Sequence, residues 1–408
     1  MENRIKHILH INAVANTGST GRICEEIGSL ASSLGWKSTI AYGRRANDSE
    51  SELIKIGNNF DVYEHGLETR LFDNHCFASR RATKSLIQKI KQIKPSIIHL
   101  HNLHGYYLNI PILFDYLSIA NIPIVWTLHD CWSFTGHCAH FDYIGCDKWK
   151  TQCYQCPQKR EYPASFFLDH SSSNYKIKKQ LFNQVKNMTI VPVSQWLGTM
   201  VQQSFLNRYP VHVIQNGIDL DVFLPQSNVK QIKKNYGIDG KFLILGVAST
   251  WTNRKGLYDF IALNQRLTND CRIVLVGLKK KQIQELPKRV IGIERTESVQ
   301  ALVELYSAAN LFINPTWEDT FPTTNLESLA CGTPVATYRT GGSIESISEY
   351  TGFIVEKGNI DALCNVINVV KQKGKMFYFN NCRKRAISLY NKTDRFNEYM
   401  NLFNQLVI

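Results

Sequence analysis

No stretch of the chain strings together the roughly 18 apolar residues that a membrane-crossing helix needs, and Met1 to Ala15 holds no apolar run of export-signal length. The expectation is a cytoplasmic protein that neither enters nor spans a membrane by itself. No repeat of solenoid period and no low-complexity linker interrupts the sequence, which argues against stacked arrays and disordered tethers. Acids are the scarcer charge, with 34 Asp and Glu against 47 Lys and Arg and a formal net charge of +13. Such a surface attracts nucleotide phosphates, anionic lipid heads or nucleic acid. No basic-aromatic module that reads nucleic acid is present, so no specific nucleic-acid partner is expected.

One acid-free stretch carries Arg80, Arg81, Lys84, Lys89, Lys91 and Lys94, with Leu86, Ile90 and Ile93 at helical spacing. It reads as a core-facing helix with a solvated basic face. The same pattern suits peripheral docking on the anionic inner face of the cytoplasmic membrane.

What is present is an ordinary globular composition, 44% hydrophobic and 20% charged. A chain of 408 residues is too long for one core, and two domains are expected. Buried-strand runs at Ile5 to Asn12, Thr39 to Tyr42, Ile97 to Leu100, Ile124 to Leu128 and Ile190 to Val193 alternate with helical patterns. After Val211 to Asn216, itself read as a strand end, the alternation restarts at Phe242 to Ala248, Ile273 to Gly277, Leu311 to Asn314 and Val335 to Tyr338. This is an α/β chain of two Rossmann-like, doubly wound domains, residues 1–210 and 211–384, facing a central cleft. The final helix, 385–408, is expected to pack back on the first domain.

The segment from Asn314 to Val335 reads as strand end, loop, short helix, glycine stop and next strand. Backbone N–H groups at that helix start, Thr323, Thr324 and Asn325, can hold a diphosphate. Phe321 leads into the helix and joins this donor-binding set. Glu327 can accept hydrogen bonds from ribose hydroxyls, and Asp319 lies eight residues earlier. Near the N-terminus, Thr17 to Gly21 reads as a small-residue loop in which Gly18 and Gly21 let phosphate or sugar approach the backbone.

Two acids separated by seven residues, a short helix and a Gly-x-Pro-Val strand resemble the family-four retaining glycosyltransferases of the GT-B fold, especially those making bacterial capsule and exopolysaccharide of the colanic-acid type. The acids here are Asp319 and Glu327, with Asp where that family usually has Glu. The resemblance implies that Arg254 and Lys255 sit on the donor diphosphate. Lys255 matches the family lysine, but the family arginine is missing, because Thr250 occupies its position. It also implies that His129, in Thr127-Leu128-His129-Asp130, faces the donor sugar, and that Gly341, Gly342 and Glu345 lie near the sugar and base. His101, Asn102 and His104 are placed on the acceptor side.

The implied activity is metal-independent transfer of a sugar, with retention, from a nucleotide diphosphate sugar to a glycan or lipid-linked glycan, in capsule, exopolysaccharide or O-antigen biosynthesis. His129, Asp319 and Lys255 would be the catalytic residues. A sugar-nucleotide epimerase of the same fold and a non-catalytic glycan-binding relative are the rival readings. Asp219 and Asp221 resemble the metal-binding acid pair of the other main glycosyltransferase fold, but a second α/β unit follows them, which argues against that role.

Five of the eleven cysteines crowd into Cys131 to Cys156. Cys138, Cys146, Cys153 and Cys156 offer the four thiolates of a structural zinc site, and His137 or His140 can replace one sulfur. Zinc and free thiols both remain open, and no cofactor is expected to be needed for catalysis.

Overall fold

The computed structural model describes residues 5–407 and divides into two units. The first runs through Gln215 and takes in the C-terminal stretch from Phe396; the second is Asn216–Arg395. The first sheet contains β1 (His7–Asn12), β2 (Lys37–Tyr42), β3 (Glu52–Lys55), β4 (Ile97–Leu100), β5 (Ile124–Leu128) and β6 (Met188–Pro192). All its pairings are parallel, in the order β3-β2-β1-β4-β5-β6. The second contains β7 (Phe242–Val247), β8 (Cys271–Val276), β9 (Val290–Ile293), β10 (Leu311–Asn314), β11 (Val335–Tyr338) and β12 (Gly352–Val355). It is also wholly parallel, ordered β12-β11-β10-β7-β8-β9.

The central strands are apolar on both faces because helices cover both. β4, β5, β10 and β11 are buried at every position. The three strands absent from the sequence reading, β3, β9 and β12, all lie at sheet edges. Each mixes one or two buried residues with partly or fully exposed ones over only four positions, too short and mixed to register as an apolar run. Val211 to Asn216 forms no strand, making only an isolated bridge from Val211 to Ile190.

In the first unit, Ile8, Ile27, Trp36, Ile97 and Val125 pack against Phe396, Tyr399, Met400 and Phe403. These last come from the helix Lys392–Leu406, and Tyr399 OH lies 3.2 Å from Thr127 Oγ1. The basic stretch is the helix Arg80–Ile93, whose Leu86, Ile87 and Ile90 are buried while its Arg and Lys side chains stay exposed. Among the described residues no helix is long and apolar enough to cross a membrane.

Candidate active site

In the second sheet the winding reverses between β7 and β10. A crevice opens at the carboxyl ends of strands at such a reversal. The loop after β7 ends in the single turn Asn253–Lys255 and Gly256, and the loop after β10 runs from Pro315 to Pro322. The two loops meet because residue 256 is glycine. Its φ is +79°, and a Cβ there would stand 2.3 Å from the Pro315 carbonyl oxygen. The Trp317 N–H donates to the Arg254 carbonyl at 2.8 Å, locking the pair of loops together.

That lock sets Lys255 Nζ 2.5 Å from Asp319 Oδ2. Arg254 turns the other way, with Nε 3.6 Å from Oε1 of Glu318, a carboxylate that is 2% exposed. Sequence reasoning overlooked Glu318. Its signal was a second acid directly before Asp319, at a place where only the spacing to Glu327 was weighed. Thr250 is exposed, and its hydroxyl is spent on the neighbouring Ser249 carbonyl.

The helix Thr323–Ala330 begins after Pro322 with no side-chain cap. Within the proposed diphosphate set, Asn325 differs from its neighbours. Its N–H donates to the Pro322 carbonyl at 3.2 Å, its Oδ1 accepts from Asn314 at 2.9 Å, and its Nδ2 donates to Ser346 Oγ at 2.9 Å. Asn325 is a buried strut between the loops. The helix-start donors for an anion are therefore those of Thr323 and Thr324.

Glu327 Oε2 accepts from the Tyr306 hydroxyl at 2.8 Å. Burial, then the Glu327 charge, holds that phenol well above its usual range. Phe321 is buried, its ring centroid 5.9 Å from that of Tyr390, and its carbonyl accepts from Asn216. The loop after β11 clamps the backbone of Asp319: the Gly342 N–H donates to the Asp319 carbonyl at 3.2 Å. A Cβ on Gly341 would lie 1.8 Å from that same oxygen. The Glu345 carbonyl accepts from Tyr390 and Arg385. Asp219 is tied down by Lys392 Nζ at 2.6 Å and by the Asp221 and Val222 N–H groups.

In the first unit the reversal lies between β1 and β4. Here the expectation of a loop at Thr17 to Gly21 is corrected, because the helix Gly18–Ser33 already starts at Gly18. Gly18 has φ +64°, and Gly21 is buried in the first helical turn, where a Cβ would meet Val14 Cγ2 at 3.0 Å. Asn12 Oδ1 joins the two loops by accepting from the Ala13 and Asn102 N–H groups.

Beside that junction runs a row of histidines. His10 Nδ1 lies 3.4 Å from His101 Nε2, and His101 Nδ1 lies 3.1 Å from His129 Nε2. His99 lies beside His101, ring centroids 4.0 Å apart and tilted by 43°, and pairs with Thr127 Oγ1. Burial pushes His129 down to about 4 and His10 down to about 3, so these imidazoles are neutral at neutral pH. His10, His99 and His101 also hold one ring nitrogen each within 4.8 Å of the others, a spacing that suits a metal ion. His10 and His99 escaped sequence reasoning because a histidine inside a strand reads as one polar break in an apolar run.

His104 bridges Asp130 Oδ2 at 2.7 Å and the Tyr162 hydroxyl at 2.9 Å. Burial alone would raise the Asp130 carboxyl, but the charge and hydrogen bond of His104 outweigh it and hold the group below its ordinary value.

Known proteins resemble both halves of the chain. A family model described as Glycosyltransferase Family 4 matches residues 20–222, and one described as Glycosyl transferases group 1 matches residues 241–371. A putative colanic acid biosynthesis glycosyl transferase, WcaC of Escherichia coli K12, is 26% identical over 57% of this chain and 59% of its own length. An Escherichia coli UDP-Gal:alpha-D-GlcNAc-diphosphoundecaprenol alpha-1,3-galactosyltransferase is 23% identical over 51% of this chain and 57% of its own. The chain thus spans little more than half the length of these curated relatives. Among solved structures, sucrose-phosphate synthase from Thermosynechococcus elongatus matches with a TM-score of 0.72 at 17% identity, covering 98% of this chain and 99% of that one. Anabaena HepE in complex with UDP matches with a TM-score of 0.69 at 14% identity, covering 98% and 100%. These two likenesses establish a GT-B fold.

Proposed function

Because the chain belongs to the group 1, family 4 glycosyltransferases, we propose that it is a metal-independent retaining transferase. It moves a sugar from a nucleoside diphosphate sugar to a glycan or lipid-linked glycan acceptor in capsule, exopolysaccharide or O-antigen assembly. The observation that carries the reading is the pairing of Lys255 with Asp319 beside the β7/β10 reversal, with an uncapped helix start and Glu327 following on the same connection from β10 to β11. A cation and two helix-start N–H groups suit a diphosphate, and a carboxylate braced by Tyr306 suits a ribose.

In this reading Lys255 meets the charge that develops on the leaving diphosphate, the largest electrostatic demand of the reaction. Thr323 and Thr324 share that charge through their N–H groups. Arg254 stands close by, braced by Glu318, and Asp319 takes a sugar hydroxyl. Transfer with retention places the acceptor hydroxyl on the face the phosphate leaves, so the departing phosphate oxygen can take its proton. The first unit receives the acceptor, with neutral His129 available to a sugar hydroxyl. Its basic helix Arg80–Ile93 meets anionic lipid where the acceptor is lipid-linked. Relatives whose names specify a UDP-sugar or a diphosphoundecaprenol acceptor support this choice of substrates.

The test is thermal melting against a panel of nucleoside diphosphates in chelator, for wild type and Glu327→Ala. A ligand at 100 times its dissociation constant adds about 2.7 kcal/mol of stability. One diphosphate should stabilise the wild type and not the variant, and the matching nucleotide sugar should then be consumed only with acceptor present. If no diphosphate moves the folded wild type, the transferase reading fails. Conversion of the nucleotide sugar without an acceptor would favour an epimerase.

A further inference from the structure

Between β5 and the helix Ser171–Phe182 the chain has no strand and no α-helix, only the single turns Trp132–Phe134, Asp142–Ile144 and Lys148–Lys150. An irregular segment of this length inside a compact unit needs something to order it. One contribution is apolar: the rings of Phe134, Phe141 and Trp149 pack together with centroids 4.8 to 6.3 Å apart.

The other lies beside those rings. Cys138, Cys146, Cys153 and Cys156 line one small cavity together with His137. All four are free thiols rather than disulfides. Cys138 and Cys156 are hydrogen-bonded to each other, and Cys153 neighbours both Cys156 and Cys146. Backbone amides are aimed at two of the sulfurs. The Gly136 N–H donates to Cys153 Sγ at 3.2 Å, and the Gln158 N–H donates to Cys156.

His137 supplies an independent observation. Its Nδ1 is 2.6 Å from Asp73 Oδ1, with both side chains enclosed. Its Nε2 is buried with no hydrogen-bond partner, on the ring that lines the cysteine cavity. A carboxylate that fixes an imidazole beside a set of metal-binding atoms is a recurring outer support of metal sites.

We infer that this cavity is a structural zinc site with four thiolate ligands, Cys138, Cys146, Cys153 and Cys156. His137, held by Asp73, serves as an N–H donor toward the sulfurs. Each thiol gives its proton to solvent as the ion binds. Four protein ligands close a tetrahedral zinc, leaving no position for substrate, so the ion orders the segment and takes no part in transfer. The same segment carries Tyr162 to His104 at 2.9 Å, which connects the zinc to the shape of the histidine-lined side of the first unit. The inference does not depend on which sugar is moved, or on whether one is.

The test is metal content, measured by plasma mass spectrometry and native mass on full-length protein purified in reductant, without chelator, from zinc-supplied cells. The wild type should hold one zinc per chain, released when a mercurial blocks the thiols. Cys364→Ser and His137→Gln should keep it, whereas Cys146→Ser and Cys156→Ser should lose it. The nucleoside diphosphate melting response of each variant reports whether the second unit is intact, and the wild-type stoichiometry depends on no variant folding. A zinc-free wild type, whether its four sulfurs react as free thiols or its mass shows disulfides, overturns the site. Zinc kept by Cys146→Ser but lost from His137→Gln overturns the four-thiolate set.

Discussion

Lys255 reaches Asp319, 2.5 Å between Nζ and Oδ2, from a loop that leaves a different strand. The cation assigned to a diphosphate is thus paired with the acid assigned to the sugar, and the two assignments can be separated by kinetics. Lys255→Ala should lower kcat by about 100- to 1000-fold, the usual loss for one group that stabilises developing charge. Asp319→Asn frees the lysine, so nucleoside diphosphate binding should hold or tighten while kcat falls. Parallel loss of binding in both variants would show that the pair acts only as a brace between loops.

Glu327 and Tyr306 offer a graded pair. Glu327→Gln should remove the melting response to nucleoside diphosphate. Tyr306→Phe deletes one hydrogen bond worth about 0.5–1.5 kcal/mol, so the dissociation constant should rise by no more than about tenfold. Calorimetric titration reads both, and a Tyr306→Phe loss as large as that of Glu327→Gln would contradict the assignment.

The buried histidines predict acid sensitivity with a definite sign. His129 is pushed down to about 4 and His10 and His65 to about 3, from an ordinary value of 6.5. Between those limits the unfolded chain binds protons that the folded one refuses. Stability should therefore fall as pH drops from 6.5 toward 4 and stay level, as far as these groups are concerned, above 6.5. Urea unfolding across this range should show a shallower decline for His129→Asn.

If anionic lipid is a partner, Lys84, Lys91 and Lys94 should matter through charge alone. Each basic residue near such a surface contributes about 1 kcal/mol. Changing all three to Gln should lower partition onto phosphatidylglycerol vesicles about a hundredfold at unchanged stability, because all three are exposed. Equal sedimentation of wild type and variant with these vesicles would exclude the helix as the contact.

Phe403 is wholly buried, its ring centroid 6.4 Å from that of Trp36. Phe403→Ala should destabilise the first unit by about 3–5 kcal/mol. Tryptophan fluorescence during urea titration would detect the loss, while the nucleoside diphosphate response of the second unit should persist.

Interior strands were readable because burial on both faces leaves an apolar run, as in Leu243-Ile244-Leu245 of β7. Edge strands such as Glu52-Leu53-Ile54-Lys55 were not, since three of those four residues meet water. The Asp319 to Pro334 motif pointed to a candidate site, but the partner of each side chain could not be read from spacing. Arg254 turns to Glu318, and Asn325 becomes a strut, because of how loops from separate strands cross. Thr17 to Gly21 looked like a loop because glycine is a poor helix former. Gly21 sits in the first turn where the helix packs closely on Val14, so that a Cβ would meet Val14 Cγ2 at 3.0 Å and the neighbour would have to give way.

The return of the chain at Phe396 has a consequence for biosynthesis. The hydrophobic partners of Ile8, Trp36 and Ile97 emerge from the ribosome only after the whole second unit has been made. Domains usually fold in the order of their synthesis. Here the earlier one must wait, with an open apolar seam, for Tyr399, Met400 and Phe403 to arrive. A nascent chain stalled anywhere between the two units would expose that seam, making it a natural substrate for chaperones that hold unfinished proteins.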